Sequence, residues 1–339
     1  MTRAVLNRAV PKRALVTGAA GFVGKWMCAA LVMDGWSVTA AAHSDADVAA
    51  ARASGPWGNL DGVSWATGDL RDSDYLGRLL DDATPDAIVH LAAVSHVQHA
   101  TSNPALAWEV NLLAPVRLLH EVELRRAAGL IDPTLLLIGS AEQYGRQAES
   151  AMPLREDTPQ TPLSVYGATK AAQELAGLQA FHATGLKVIA ARPFPHTGPG
   201  QEERFVLPAM VARAEALRAS GTGGPMITGN LMPVRDFLHV SDVVAAYIAL
   251  LHSGCPGTAY NVASGEGLSV REVVERVLHR TGVQAELKED PALVRAVDVP
   301  VLVGDATRLS ADTGWKPTRG FDSILDDLLA YHRKHAATH

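Results

Sequence analysis

From residue 13 onward, short apolar runs alternate with longer stretches whose apolar positions recur at helical spacing. Residues 13–17 (RALVT) are largely apolar, residues 18–24 carry three glycines, and a helical pattern then continues to Asp34. Gly35 suits the end of that helix, and a second apolar run at 37–42 completes a strand-helix-strand unit. Further strands are predicted at 63–67, 87–92, 134–139 and 188–192, with helices at 72–82, 104–127 and 166–183. Near-continuously apolar strands separated by helices predict a parallel sheet covered on both faces, the α/β doubly wound Rossmann arrangement.

After Arg192 the texture changes. Residues 193–201 (PFPHTGPGQ) hold three prolines and two glycines and read as an ordered loop. Helices follow at 206–219, 241–252, 269–281 and 321–335, with short strands at 226–228 and 260–262. The expected organisation is a dinucleotide-binding Rossmann domain over 12–192 plus about 236–263. A smaller mixed α/β substrate domain over 193–235 and 264–335 is expected to close over the crevice where the strand order reverses.

Composition narrows the ligand class. The 339 residues are 47% hydrophobic and 19% charged, which suits a globular chain with a sizeable core. A net charge of −6 with 5% aromatic residues argues against a nucleic-acid surface and for a small-molecule partner. Cys28 and Cys255 form no CxxC pair, so neither a zinc site nor a disulfide is indicated, and a reducing compartment fits. Residues 1–13 lack the apolar core of a signal peptide and no apolar run reaches membrane-spanning length, so the expected location is cytoplasmic, away from membranes. His90, His96 and His99 lack a completing carboxylate or cysteine at ligand spacing, so no metal is expected.

Several local features carry chemistry. Gly18, Gly21 and Gly24 lie between a strand and a helix, where glycine permits a tight turn and the helix N-terminus presents unpaired N–H groups to a pyrophosphate. No carboxylate ends the second strand; Ala42 and His43 stand there, and His43 can donate to a 2′-phosphate, which favours NADP(H) over NAD(H). Asp69 is placed either to bind adenine or to cap the following helix. Tyr166 and Lys170, four residues apart, share a helix face, and an ammonium beside the phenol is expected to lower its pKa from about 10. Such a pair also occurs on ordinary exposed helices. Ser140 follows a strand at the edge where active sites of this fold lie, and Glu142 faces the same way on an extended segment, as a catalytic or a merely solvated carboxylate. Arg235 and Arg295 suit a diphosphate, although Arg235 has Asp236 and Asp242 as alternative salt-bridge partners.

Together, Thr17-Gly-Ala-Ala-Gly-Phe-Val-Gly24, Gly68-Asp-Leu70, His90-Leu-Ala-Ala93, Asn111, Ser140, Tyr166 with Lys170, Arg192-Pro193 and Arg235-Asp-Phe237 resemble the extended short-chain dehydrogenase/reductase family of sugar-nucleotide epimerases, dehydratases and reductases. The resemblance covers roughly residues 12–335. Phe194-Pro-His-Thr-Gly-Pro-Gly-Gln201, Gly229-Asn-Leu231 and Thr313-Gly-Trp-Lys-Pro317 are similar to its GDP-mannose branch. Pro195 and Ala296 depart from that branch's pattern, which usually has Asn and Pro.

The resemblance implies a catalytic set of Ser140, Tyr166, Lys170 and Glu142. It implies cofactor contacts from Gly18, Ala20, Gly21, Phe22, Val23, Gly24, His43, Asp69, Leu70, Leu91, Ala92, Ala93, Tyr166, Lys170, Pro193 and His196. Substrate contacts are implied for Ser95, Ser140, Glu142, Val206, Asn230, Arg235 and Arg295. The implied reaction is NAD(P)H-dependent reduction of a GDP-linked 4-keto-6-deoxy sugar, GDP-4-dehydro-6-deoxy-D-mannose to GDP-D-rhamnose, by a homodimer or homotetramer. GDP-mannose 4,6-dehydration, or the reaction of another sugar-nucleotide epimerase or dehydratase, is the enzymatic alternative. A non-catalytic dinucleotide-sensing Rossmann protein is the alternative of another class.

Overall fold

The computed structural model describes residues 12–54, 61–221, 224–294 and 298–336. Its principal sheet contains β1 (Arg13–Thr17), β2 (Ser37–Ala42), β3 (Val63–Thr67), β4 (Ala87–His90), β5 (Thr134–Ile138) and β6 (Lys187–Pro193). Short strands β7 (His196–Thr197), β8 (Met226–Thr228), β9 (Val234–Asp236) and β10 (Leu238–His239) precede β11 (Ala259–Val262), which returns to the principal sheet as its seventh strand. The sheet is parallel throughout, in the order β11-β6-β5-β4-β1-β2-β3. Strand order reverses between β1 and β4, which opens a crevice at their C-terminal ends.

Helices α1 (Phe22–Met33), α2 (Asp45–Ala53), α3 (Ser73–Ala83), α4 (Val97–Ser102), α5 (Pro104–Trp108), α6 (Ala114–Ala127) and α7 (Val165–Thr184) connect the first six strands. They are followed by α8 (Val206–Ser220) and α9 (Val240–Ser253). One sheet face packs on Met27, Cys28 and Leu31 of α1 and on Val243, Val244 and Tyr247 of α9. The other packs on Leu76 and Leu80 of α3 and on Leu118 and Val122 of α6. Beyond β11 come β12 (Gly267–Ser269), α10 (Val270–Thr281), β13 (Leu287–Glu289), β14 (Val301–Leu302), α11 (Thr307–Thr313) and α12 (Phe321–Ala336). Helices α8, α10 and α12 bury a separate core that includes Met210, Val274, Val277, Ile324 and Leu325.

Two deviations from the apolar pattern lead to the site. The run at 87–92 ends as a strand at His90; Leu91 and Ala92 N–H still donate to Thr17 of β1, and by Val94 the chain has left the sheet, its N–H donating to Asn111 Oδ1 at 2.7 Å. The single helix expected at 104–127 is interrupted at Glu109–Leu113 by a π-helical turn carrying Asn111. There the fully buried Asn111 Nδ2 donates to Val94 O (3.2 Å) and Thr169 Oγ1 (3.0 Å), and the local widening of the helix accompanies this bridge. Helix α2 went unread because its sequence, DADVAAARA, offers too few large apolar positions for a periodic signal.

Candidate active site

At the crevice lies a cavity of about 1440 Å³. It is lined by every residue that the sequence nominated for cofactor, substrate or catalysis except Arg295, which with Ala296 lies outside the described residues.

One end is built by the glycine turn after β1. Gly18 has φ +67°, and a Cβ on it would lie 2.7 Å from Ala92 N, so both backbone conformation and space require glycine. A Cβ on Gly24 would strike the Gly18 carbonyl and the Ala19 backbone, so this glycine lets α1 sit directly against the turn. Gly21 caps α1 without any side-chain acceptor, leaving first-turn N–H groups to face the cavity, where a dinucleotide pyrophosphate fits. His43 and Asp47 line the adjoining wall, and the Asp47 carboxylate accepts a 2.7 Å hydrogen bond from the Ser44 hydroxyl. Of the two roles open to Asp69, helix capping falls to Asp72, which accepts from Asp74 N. Asp69 is instead gripped by Arg71, with Nη2 to Oδ2 at 2.6 Å, and this guanidinium holds the carboxyl below its ordinary range.

The candidate catalytic residues Ser140, Tyr166 and Lys170 lie beyond the end of β5 and on α7. Ser140 caps the short turn Ala141–Tyr144, its Oγ accepting from Glu142 N at 3.2 Å, and Tyr166 on the first turn of α7 hydrogen-bonds to Ser140. Contrary to the expectation of a lowered phenol pKa, burial pushes Tyr166 up to about 12, against the smaller lowering effect of its Ser140 bond. Lys170 does not offset this. Its fully buried Nζ donates to Ile138 O at 2.7 Å and to Gln173 Oε1 at 2.9 Å, and burial brings its pKa down to about 7. The phenol is therefore a protonated donor at neutral pH.

Ser140 rests on a buried polar chain. Its N–H donates to Gln143 Oε1 at 2.6 Å; Gln143 Nε2 donates to Glu174 Oε2 at 3.0 Å; and Glu174 pairs with Arg192 through two contacts. Arg192 also donates to the Tyr144 hydroxyl at 2.7 Å, which in turn donates to Asn261 Oδ1 of β11 at 2.6 Å. A Cβ on Gly139 would strike Gln143 Oε1, so that glycine makes room for the chain.

Ser95, in the loop after β4, also lines the cavity, together with Val206 of α8, Asn230 and Arg235. Neither Asp236 nor Asp242 pairs with Arg235. Its Nη2 meets Asp298 Oδ1 at 2.6 Å, while Asp236 accepts from Ser264 and Gly265, and Asp242 from Thr318 and Arg319. Arg213, which the sequence reading missed, lines the cavity as well, its Nη1 donating to Ile227 O at 3.1 Å. It follows Val206 by two helical turns on α8, and that seven-residue spacing was the available signal.

Comparison with known proteins agrees with this geometry. The profile of the family described as GDP-mannose 4,6 dehydratase matches residues 15–328. The GDP-6-deoxy-D-mannose reductase of Pseudomonas aeruginosa is 35% identical over 319 residues, covering 94% of this chain and 96% of that protein. The solved structure of RMD from Pseudomonas aeruginosa complexed with NADPH superposes with a TM-score of 0.79 at 31% identity, covering 96% of this chain and all (100%) of that one. The UDP-glucose 4-epimerase of Thermus thermophilus, in complex with NAD, gives a TM-score of 0.79 at 28% identity, covering 95% of this chain and 99% of that one. A seven-stranded Rossmann sheet, a glycine turn fitted to a dinucleotide and a family match along nearly the whole chain lead to one conclusion: the protein belongs to the GDP-mannose 4,6-dehydratase family of NAD(P)-dependent, extended short-chain dehydrogenase/reductase enzymes.

Proposed function

We propose that the protein reduces a nucleotide-linked 4-keto-6-deoxy sugar, GDP-4-dehydro-6-deoxy-D-mannose, to GDP-D-rhamnose. The observation that carries this reading is the Tyr166 phenol, hydrogen-bonded to Ser140 at the wall of a cavity that also contains the glycine turn. A bound reduced nicotinamide supplies the hydride to the sugar C4 carbonyl. Tyr166 delivers its proton to the oxygen as negative charge develops there, and Ser140 holds that oxygen by a hydrogen bond. As the phenolate forms, its negative charge favours the protonated form of Lys170, whose Nζ is held by Ile138 O and Gln173 Oε1. Positioned proton transfer of this kind is worth roughly 10²- to 10⁴-fold in rate.

In this reading residues 12–192 with 236–263 hold the cofactor, while 193–235 and 264–335 hold the sugar nucleotide. Ser95, Val206, Asn230 and Arg235 contact the substrate, with Arg213 added to them and Arg295 in the undescribed segment. NADP(H) is favoured over NAD(H): no carboxylate ends β2, His43 lines the cavity there, and the relative at 31% identity was solved with NADPH. Among the described residues no helix is long and apolar enough to cross a membrane. A cytoplasmic homodimer or homotetramer is proposed.

The family description and Glu142 on the cavity wall favour a second reading, GDP-mannose 4,6-dehydration, with Glu142 taking the C5 proton. One assay separates the two. A reductase consumes one NAD(P)H per 4-keto sugar and leaves GDP-mannose untouched; a dehydratase converts GDP-mannose with no net nicotinamide consumption. Turnover of GDP-mannose without added reductant refutes the reductase reading.

A further inference from the structure

We infer that the hydroxyl of Tyr247 is a ligand-binding group of the cofactor site, donating a hydrogen bond to the carboxamide of the nicotinamide. The inference rests on the dinucleotide reading and adds to it a residue that no motif nominated.

Tyr247 lies on α9, seven residues and thus two helical turns beyond Val240, on the same buried face. Its side chain is fully buried in the core that α9 shares with α1 and the principal sheet. The ring is satisfied by that apolar packing, yet the hydroxyl has no hydrogen-bond partner among the described residues. A buried hydroxyl without a partner is costly, and a phenylalanine would fill the same space without the cost. The residue also lines the cavity, and it lies within electrostatic reach of Tyr166. The orphaned O–H therefore belongs to the wall shared by the glycine-turn helix and the catalytic phenol.

Two further buried oxygens on the lining, Thr197 Oγ1 and Gln201 Oε1, lack partners among the described residues. The Gln201 amide is oriented by its Nε2, which donates to His196 O at 3.2 Å. A wall whose unused groups are the Tyr247 and Thr197 hydroxyls and the Gln201 amide oxygen matches a planar, largely apolar ring bearing one carboxamide, which needs a donor for its oxygen and acceptors for its NH₂. A sugar hydroxyl fits less well, because Tyr247 emerges from the core behind the cofactor sheet and not from the core of α8, α10 and α12.

The test is binding to the full-length protein without substrate. Wild type and Y247F are titrated with NADPH and with 2′-phospho-ADP-ribose, the fragment that lacks the nicotinamide. Y247F is expected to raise the Kd for NADPH about tenfold, the loss of one hydrogen bond, and to leave the fragment's Kd within about twofold. Unliganded Y247F should melt no lower than wild type, since it loses only an unsatisfied hydroxyl. Equal NADPH affinity in the two proteins, or equal weakening of NADPH and fragment, overturns the proposal. If Y247F does not fold, the pyridine analogue without the carboxamide is compared with NADPH on wild type and on Tyr247→His; an analogue that binds wild type as tightly as NADPH also overturns it. Wild-type protein that binds neither NADPH nor the fragment removes the dinucleotide reading, and this proposal with it.

Discussion

The carboxylate of Glu174 and the guanidinium of Arg192 meet side by side in the interior, Oε1 to Nη2 at 2.6 Å and Oε2 to Nε at 2.8 Å, with both side chains about 95% excluded from solvent at 4% and 5% exposure. One partner comes from α7, two turns beyond Tyr166, and the other from the end of β6. The pair anchors Gln143, and Gln143 receives the backbone N–H of Ser140. A charge pair so deep is held against a large desolvation cost, and it survives because each ion has additional hydrogen bonds. Its position suggests that it sets the geometry of Ser140.

Breaking it from one side tests that role. Glu174→Gln leaves the Arg192 charge without its counterion, and stability should fall by about 3–5 kcal/mol, read by chemical denaturation. A folded remainder of the variant should show lowered kcat with a smaller change in KM for the sugar, because Ser140 loses its support while the substrate wall is intact.

Replacing Tyr166 with Phe removes the proposed proton donor and leaves packing nearly unchanged. The turnover rate should fall by roughly 10²- to 10⁴-fold, whereas titration with NADPH should give a Kd close to that of wild type. A variant with wild-type turnover excludes Tyr166 as the donor.

Lys170 makes the unliganded protein's stability depend on pH. Burial lowers its pKa in the folded state to about 7 from an ordinary value of 10.5. Between these values the unfolded chain holds a proton that the folded protein has released, so stability rises with pH across this window and gains nothing below it. The slope is at most about 1.4 kcal/mol per pH unit for one proton. Lys170→Met should remove that increment, measured as the difference between wild-type and variant urea midpoints from pH 7 to 9.

Gly18→Ala would force a side chain into the left-handed region and against the Ala92 backbone. The expected result is destabilisation of at least about 1 kcal/mol, with weakened NADPH binding seen in the same titration used for Tyr166→Phe.

The sheet was legible because its strands are apolar on both faces, and the glycine turn because Gly18, Gly21 and Gly24 fall between a strand and a helix. Tyr166 and Ser140 were legible as residue types at the right sheet edge, but not the electrostatics between them. Spacing places Lys170 one turn from Tyr166, yet only the fold reveals that its ammonium is spent on Ile138 O and Gln173. The partner of Arg235 was illegible for a similar reason: Asp298 is 63 residues away in sequence, whereas the carboxylates nearer in sequence serve loops around Ser264 and Thr318. Tyr247 left no trace in the sequence, since a tyrosine in an amphipathic helix reads as core until its hydroxyl is seen to lack a partner.

Asn111 has a mechanical consequence. With one amide it ties the loop after β4 to Thr169, whose hydroxyl in turn donates to Tyr166 O at 2.8 Å. The loop after β4 and the start of α7 are thereby stapled into one stiff body that carries the proton donor. Any breathing of the cavity around a ligand is then expected to fall to the half built on α8, α10 and α12, which packs on a core of its own. On the proposed assignment, the side carrying Tyr166 acts as the anvil, and the side built on α8, α10 and α12 supplies the travel.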